Sequence, residues 1–225
     1  MNGIWILLIL VMVLSYIIQA TLTGKFEKYS RYGVPGGLSG ADIARRMLQD
    51  NGIHDVTVAH IEGKLTDHYN PTTKTLNLSD GVYGSCSIAA AAVAAHECGH
   101  AVQHACGYAP LRLRSALVPV VTFANNWVQW ILLAGVIFIS IFPHLIWLGI
   151  ALFAMTTLFS FVTLPVEINA SRRAVKWLES ASVADGQTLP MAQDALKWAA
   201  YTYVIAAIGS LGTLLYYISI ANNRR

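Results

Sequence analysis

The segment Ser87–Tyr108 reads SIAAAAVAAHECGHAVQHACGY, and it decides how the rest of the chain has to fold. Its alanine-rich first half has high helix propensity and contains no proline, which predicts a helix. The motif HExxH, formed by His96, Glu97 and His100, lies within that helix. Because residues four apart share a helix face, the two histidines can bind one Zn²⁺ ion, and Glu97 can accept a proton from water at the ion's open position. Two hydrogen-bonded core histidines are the alternative interpretation.

A catalytic zinc site needs a third protein ligand. His104 lies eight residues from His96, about 12 Å of helix rise, so we expect it beside the site or at an interface rather than on the same ion. The metzincin spacing requires glycine and histidine where this chain has Gln103 and Cys106, and the later apolar stretches lack the aspartate used by site-2-type intramembrane proteases. Glu167, next to an apolar run, is the favoured ligand. A carboxylate that stabilises a helix N-terminus is the alternative.

Composition predicts a mainly α integral membrane protein with four transmembrane helices. Of the 225 residues, 55% are hydrophobic and only 12% are charged, and the mean hydropathy is +0.51. A membrane-spanning helix needs roughly 20 apolar residues, and the first candidate is interpreted as a retained anchor rather than a signal peptide. The four candidate spans are Ile4–Leu22, Val118–Phe142, Leu145–Leu164 and Ala199–Ile220.

The distribution of basic residues predicts the orientation in the membrane. Thirteen of the 15 lysines and arginines lie between the first and second spans or between the third and fourth, and only Arg224 and Arg225 lie on the opposite side. Positive charge favours the cytoplasmic side, which places the HExxH segment in the cytoplasm and both termini outside. The net charge of +3, divided among juxtamembrane clusters, gives no indication of nucleic-acid binding. Three cysteines without a pairing pattern favour a reducing compartment or structural thiols.

Turn signals and patterning divide the chain into five regions. A short helix is expected in the segment SGADIARRMLQDNG, with Ser39 and Asp42 at its start. The segments DVTVAHI and TKTLNLS predict a hairpin or a sheet of two to three strands, and the second of them is a candidate edge for an extended substrate. The predicted regions are an anchor (1–23), a cytoplasmic region with the sheet and the HExxH helix (24–117), a membrane hairpin (118–164), a cytoplasmic helix that starts after Pro165 and carries Glu167 (165–198), and a last membrane helix (199–225).

Three blocks resemble the bacterial membrane neutral zinc metallopeptidases of the YugP type: LTDHYNPTTKTLNLS, AAVAAHECGHAVQHACGYAPLRLRSALVP and LPVEINASRRAVKWL. The third block is also similar to the E-x-x-A-D-x-x-A element of the HtpX and CAAX-prenyl-protease group, where the first glutamate is the third zinc ligand. That resemblance implies Glu167 as a ligand and a gluzincin-like domain. The chain has Ser171 where the wider group has aspartate, which leaves the role of that aspartate unassigned here.

The motif and the resemblance together predict a membrane zinc endopeptidase. One Zn²⁺ per chain would be held by His96, His100 and Glu167, with Glu97 as the catalytic base. The candidates for oxyanion or substrate contacts are His68, Tyr69 and Arg172. The expected substrates are membrane or juxtamembrane proteins, including misfolded ones, at the cytoplasmic face of a bacterial cell membrane. The alternative is a non-catalytic membrane scaffold or adaptor that retains a structural zinc, with Cys98 or Cys106 as a fourth ligand.

Overall fold

The computed structural model describes residues 2–222, with side chains from Trp5 onward. In this part of the chain helices predominate and three short strands form one sheet, as predicted. In chain order the elements are α1 (Asn2–Tyr29), α2 (Gly40–Asp50), β1 (Thr57–His60), β2 (His68–Asn70), β3 (Thr75–Leu78), α3 (Asp80–Tyr83), α4 (Ile88–Ala105), α5 (Ala109–Ile137), α6 (Pro143–Ser180) and α7 (Leu189–Asn222).

Within residues 2–222, four helices are long and apolar enough to cross a bilayer, namely α1, α5, α6 and α7, in agreement with the predicted number of candidate spans. A helix satisfies its own backbone hydrogen bonds, so long apolar runs are stable in lipid in this form. The large apolar side chains of α1 are exposed, including Ile6 and Met12, as is expected of a surface that faces lipid. Helix α5 begins nine residues before the predicted start of its span at Val118 and ends at Ile137.

Helix α6 continues through Pro165, where the sequence predicted one helix to end and another to begin. A proline inside a helix removes one backbone hydrogen bond, and membrane helices tolerate this because nearby Ser and Thr side chains and local adjustments satisfy the freed group. The prediction of a separate helix after Pro165 is therefore wrong: residues 166–180 extend the helix that contains the third apolar span.

The sheet has the strand order β1-β3-β2. Strands β1 and β3 are parallel, so the predicted hairpin between these two segments is wrong; the antiparallel pair is β2 with β3. Strand β2 lies in the segment that the sequence left as a connector. Because β3 has a neighbour on each side, it offers no free edge to an extended substrate, and that expectation is also wrong.

Helix α2 has the predicted start. The Ser39 hydroxyl accepts a hydrogen bond from the Asp42 N–H, and the Asp42 carboxylate accepts one from the Ser39 N–H. This reciprocal arrangement satisfies backbone groups that a helix leaves unpaired at its start. The apolar face of α2, including Ile43 and Met47, is fully buried.

Helix α4 places its alanines in the core and leaves one face partly open. It begins after Ser87, whose hydroxyl accepts a hydrogen bond from the Ala90 N–H. Its small buried side chains pack against α2, and the buried Cys98 thiol contacts the Ala44 carbonyl. The residues of α4 that are only partly buried recur at helical spacing: they are Val93, His96, Glu97 and His100. The HExxH residues therefore share the open face of a well-packed helix.

The chain divides into two compact units. The first consists of residues up to Ile17, Arg112–Pro165 and the residues from Thr202 onward, and it contains most of the apolar helical sequence. The second consists of Ile18–Leu111 and Val166–Tyr201, and it contains the sheet, α4 and the end of α6 that carries Glu167.

Candidate metal centre

Helices α4 and α6 bring together the three residues that the sequence proposed as metal ligands. His96 and His100 lie one turn apart on α4, and Glu167 comes from α6. One ligand atom from each lies within 4.8 Å of the other two. The Glu167 Oε2 atom is 3.3 Å from His96 Nε2 and 3.6 Å from His100 Nε2. Glu167 lies in the interior of α6, so its alternative role as a carboxylate at a helix N-terminus is excluded.

The donor set fits a zinc ion. Ligand atoms of a tetrahedral zinc at about 2.0–2.2 Å lie roughly 3.3–3.6 Å apart, close to the separations of Glu167 Oε2 from the two imidazole nitrogens. Glu167 is 3% exposed, and its Oε2 atom has no hydrogen-bond partner among residues 2–222. A buried carboxylate oxygen without a partner is costly unless a cation compensates it. Two histidines and a carboxylate are also a ligand set of catalytic zinc sites.

Glu97 of α4 lies next to His96, and the sheet holds its side chain in place. Its Oε2 atom accepts a hydrogen bond of 3.1 Å from the backbone N–H of Tyr69 on β2. Desolvation by the surrounding protein raises the pKa of Glu97, while His96 and His100 act in the opposite direction. A carboxyl group with a raised pKa is suited to exchange a proton near neutral pH.

Two polar side chains orient the histidines, and the sequence did not reveal either role. The Ser171 hydroxyl lies 3.1 Å from His96 Nδ1, and the Gln103 side-chain oxygen lies 3.1 Å from His100 Nδ1. When Nε2 of each ring binds a metal ion, Nδ1 carries the proton and donates it to these oxygens. Such hydrogen bonds fix the tautomer and the orientation of a metal-binding histidine. Ser171 thus supplies a polar contact at the position where the wider group has aspartate.

Gln103 also joins the two ligand-bearing helices. Its side-chain amide is fully buried, and it donates to the Val166 carbonyl at 2.8 Å and to the Asn169 side-chain oxygen at 3.0 Å. Val166 directly precedes Glu167. One glutamine therefore contacts His100 on α4 and the backbone next to the third candidate ligand on α6.

Gly99 allows the close approach of α4 to α6. A Cβ atom at this position would lie 2.7 Å from the Ala170 carbonyl oxygen and 3.0 Å from its Cα. Gly99 is flanked by Cys98 and His100, and Ala170 follows Glu167 by one helical turn. The absence of a side chain at Gly99 therefore contributes directly to the distance between the candidate ligands.

Gly99→Ala is expected to destabilise the protein by about 1–3 kcal/mol, the usual cost of overpacking, and to weaken zinc binding because the two helices must separate. Thermal unfolding in detergent and zinc content of the purified protein measure the two effects. Gly84→Ala is the control, since a Cβ at Gly84 would meet no atom within 4 Å. Equal zinc affinity in the Gly99 variant and the wild type would contradict this account of the helix contact.

Ser171→Ala is expected to weaken zinc binding by roughly 10-fold, at the low end of the 10- to 100-fold effects of removing such hydrogen-bond partners. Competition with a chelator of known affinity provides the measurement. The matched control is Ser180→Ala on the same helix, where the hydroxyl donates to the Trp177 carbonyl. The assigned role of Ser171 is wrong if the two variants bind zinc equally well.

The candidates for oxyanion or substrate contacts lie outside the group of three. The His68 ring nitrogens are engaged by the Thr66 carbonyl and the Asn77 side chain, which ties this histidine into the sheet. Tyr69 contacts Glu97 through its backbone, and its hydroxyl lies 2.9 Å from His104 Nδ1. Arg172 is exposed on α6.

The cysteines proposed as a fourth ligand have other neighbours. The Cys98 thiol contacts the Ala44 carbonyl, and the Cys106 thiol contacts the Gln103 carbonyl and the Arg173 guanidinium. Among residues 2–222, the group that can hold a metal consists of His96, His100 and Glu167.

The class of protein indicated here is a membrane metallopeptidase. Such a protein combines helices that can span a bilayer, the two histidines of an HExxH motif and a carboxylate from a second helix. Residues 4–222 match the family described as "putative neutral zinc metallopeptidase", and the chain belongs to this family. It is 42% identical over 212 residues to the "putative membrane protease YugP" of Bacillus subtilis, a match that covers 94% of this chain and 93% of that protein. No solved structure matches the chain significantly.

Proposed function

We propose that this protein is a zinc-dependent endopeptidase of the gluzincin type that cleaves membrane or juxtamembrane proteins at the cytoplasmic face of the cell membrane. The observation that carries the proposal is the buried, unpartnered Glu167 oxygen facing two histidine nitrogens, with Glu97 on the same helix as the histidines. The family supports a peptidase, and the set of three candidate ligands leaves a coordination position for substrate and water.

In the proposed mechanism, His96, His100 and Glu167 would hold zinc, which would supply Lewis-acid polarisation of the scissile carbonyl and would lower the pKa of water towards about 7. Glu97 accepts a proton from the attacking water and later delivers it to the nitrogen of the leaving amine. The Tyr69 N–H orients the Glu97 carboxylate for both transfers. His68, Tyr69 and Arg172 are kept as candidates for contacts with substrate or oxyanion.

The proposed substrate class follows from helix α6, which contains both an apolar stretch long enough to cross a bilayer and Glu167. A protease whose third ligand extends from a membrane helix is suited to substrates in or next to the bilayer, including misfolded membrane proteins. Strand β2 is an edge strand of the sheet in the described part of the chain, and its Tyr69 backbone contacts Glu97. An extended substrate that pairs with β2 would therefore pass close to Glu97.

The test uses the full-length protein in lipid nanodiscs. We expect one zinc per chain and hydrolysis of peptide bonds in an unfolded membrane protein, with loss of hydrolysis after chelation and recovery on addition of zinc. Stoichiometric zinc without hydrolysis of any protein substrate would favour the scaffold or adaptor interpretation. Equal cleavage of soluble casein would remove the support for membrane substrates.

Orientation and physiological role need separate experiments. An impermeant maleimide should label Arg224→Cys from outside intact cells and should label the exposed Cys106 only after lysis; the reverse pattern would overturn the cytoplasmic placement. Comparison of membrane proteomes from wild-type and Glu97→Gln cells tests the role in membrane-protein quality control. Substrates should accumulate in the variant, and identical proteomes would argue against that role.

A further inference from the structure

A large cavity lies in the second unit, and the proposed chemistry makes no use of it. Its volume is about 780 Å³, within the range of pockets that bind ligands of drug size. Residues near the end of α1, the middle of α4 and the start of α7 line it, together with a loop between β1 and β2. The apolar wall includes Leu22, Phe26, Leu65, Val93, Leu196 and Ala199.

The cavity touches the same face of α4 as the candidate metal centre, through Val93. Val93 precedes His96 by three residues and Glu97 by four, so the three side chains are neighbours on one face of the helix. Val93 is also among the partly buried residues of that face. A polypeptide that reaches Glu97 along this face of α4 therefore has the cavity one helical turn away.

Charges of both signs line the cavity together with the apolar wall. Glu27 and Asp80 are acidic, Arg31 and Lys64 are basic, and all four residues are exposed. Asp80 already accepts hydrogen bonds from the Gly63 N–H and pairs with His60. The two acidic and two basic groups cancel, so the lining gives no net attraction to an anionic lipid headgroup, whereas it offers both donors and acceptors to a peptide backbone.

We propose that this cavity binds an apolar stretch of several residues in the substrate polypeptide, adjacent to the bond that is cleaved. The inference rests on the proposed peptidase function and adds the sequence class of its substrates. The volume exceeds what one side chain fills, and the apolar wall gains free energy by removing apolar surface of the substrate from water. The cavity therefore favours substrates that present a run of apolar residues, such as unfolded membrane segments.

The experiment compares two fluorogenic peptide series that differ in one run of four residues, leucine or serine, placed on either side of a common cleavable sequence. Cleavage is measured with the wild type in nanodiscs, and binding is measured by fluorescence anisotropy with the Glu97→Gln variant. Ala199→Phe fills the cavity from α7. Leu65→Asp adds a charge at an exposed position with φ of +58°, a conformation that aspartate adopts more readily than leucine, and so carries little folding risk. Ala206→Phe, at an exposed position two turns further along α7, is the control.

We expect the wild type to prefer the leucine series at least 10-fold in kcat/KM on one side of the cleaved bond. Ala199→Phe and Leu65→Asp should reduce that ratio at least 10-fold with zinc content unchanged, and Ala206→Phe should keep it. Equal cleavage of both series, or a preference that survives both cavity variants, overturns the inference and leaves the peptidase function standing. Tight binding of leucine peptides that depends on the cavity, without any cleavage, supports the cavity as a site for apolar polypeptide and refutes the peptidase function. A phospholipid retained in place of peptide identifies a lipid site and also overturns it.

Discussion

Replacement of Glu97 by glutamine is expected to lower peptide hydrolysis by at least about 100-fold, the lower end of the usual contribution of a general base, while zinc stays bound. Glutamine keeps the shape of the side chain and cannot accept the proton of the attacking water. His96, His100 and Glu167 remain unchanged in this variant, so the ligand set is intact. Hydrolysis of an unfolded membrane protein and zinc content should be measured on the same preparation.

The control for this variant is Glu62→Gln, which removes an exposed carboxylate outside the candidate metal centre. It should retain wild-type hydrolysis. If Glu97→Gln cleaves at the wild-type rate, Glu97 is not the base; if it loses zinc together with activity, the loss reports on metal binding instead.

Glu167→Gln is expected to weaken zinc binding by more than about 100-fold and to abolish hydrolysis. Loss of a residue that only hydrogen-bonds to a metal ligand weakens zinc binding by roughly 10- to 100-fold, and loss of a ligand itself should cost more. The variant replaces a buried carboxylate, whose Oε2 atom faces two imidazole nitrogens, with a neutral amide. Zinc should raise the unfolding temperature of the wild type, because a ligand that binds the folded state stabilises it, and should not raise that of the variant.

Glu179→Gln, an exposed carboxylate further along α6, is the matched control and should bind zinc as the wild type does. Titration against a chelator of known affinity gives the zinc dissociation constants. Retention of wild-type zinc affinity in Glu167→Gln would show that Glu167 is not a ligand. The metal would then have to be held by the two histidines and a residue outside the group of three.

The sequence predicted the helices well because their signals are local. Long apolar runs, the Ser39–Asp42 cap and the alanine-rich segment each depend on residues within a few turns. Among the wrong expectations, one concerned a local proline and one the pairing of strands that are distant in the sequence. Pro165 was expected to end a helix, but α6 continues through it. The parallel pairing of β1 with β3 depends on β2, whose three residues were too few to give a periodic signal.

Some residues of the candidate site could be predicted from the sequence, and others could not. HExxH carries its helical spacing in five consecutive residues, and Glu167 could be selected by its position next to an apolar run and by family resemblance. The contact of Ser171 with His96 joins residues 75 positions apart, and that of Gln103 with Val166 joins residues 63 positions apart. No local sequence motif marks either contact. The only signal for Ser171 was its place in the E-x-x-A-D pattern, where the substitution of aspartate concealed the role.

The order of the proposed ligands along the chain has a consequence for biosynthesis. Glu167 follows His100 by 67 residues, and the apolar parts of α5 and α6 lie between them. At roughly 5–20 residues per second, synthesis of that interval takes about 3–13 s. During this time the nascent chain carries His96, Glu97 and His100 without the residue that completes the site. A chain still being made would thus lack the proposed zinc site until Glu167 has been added.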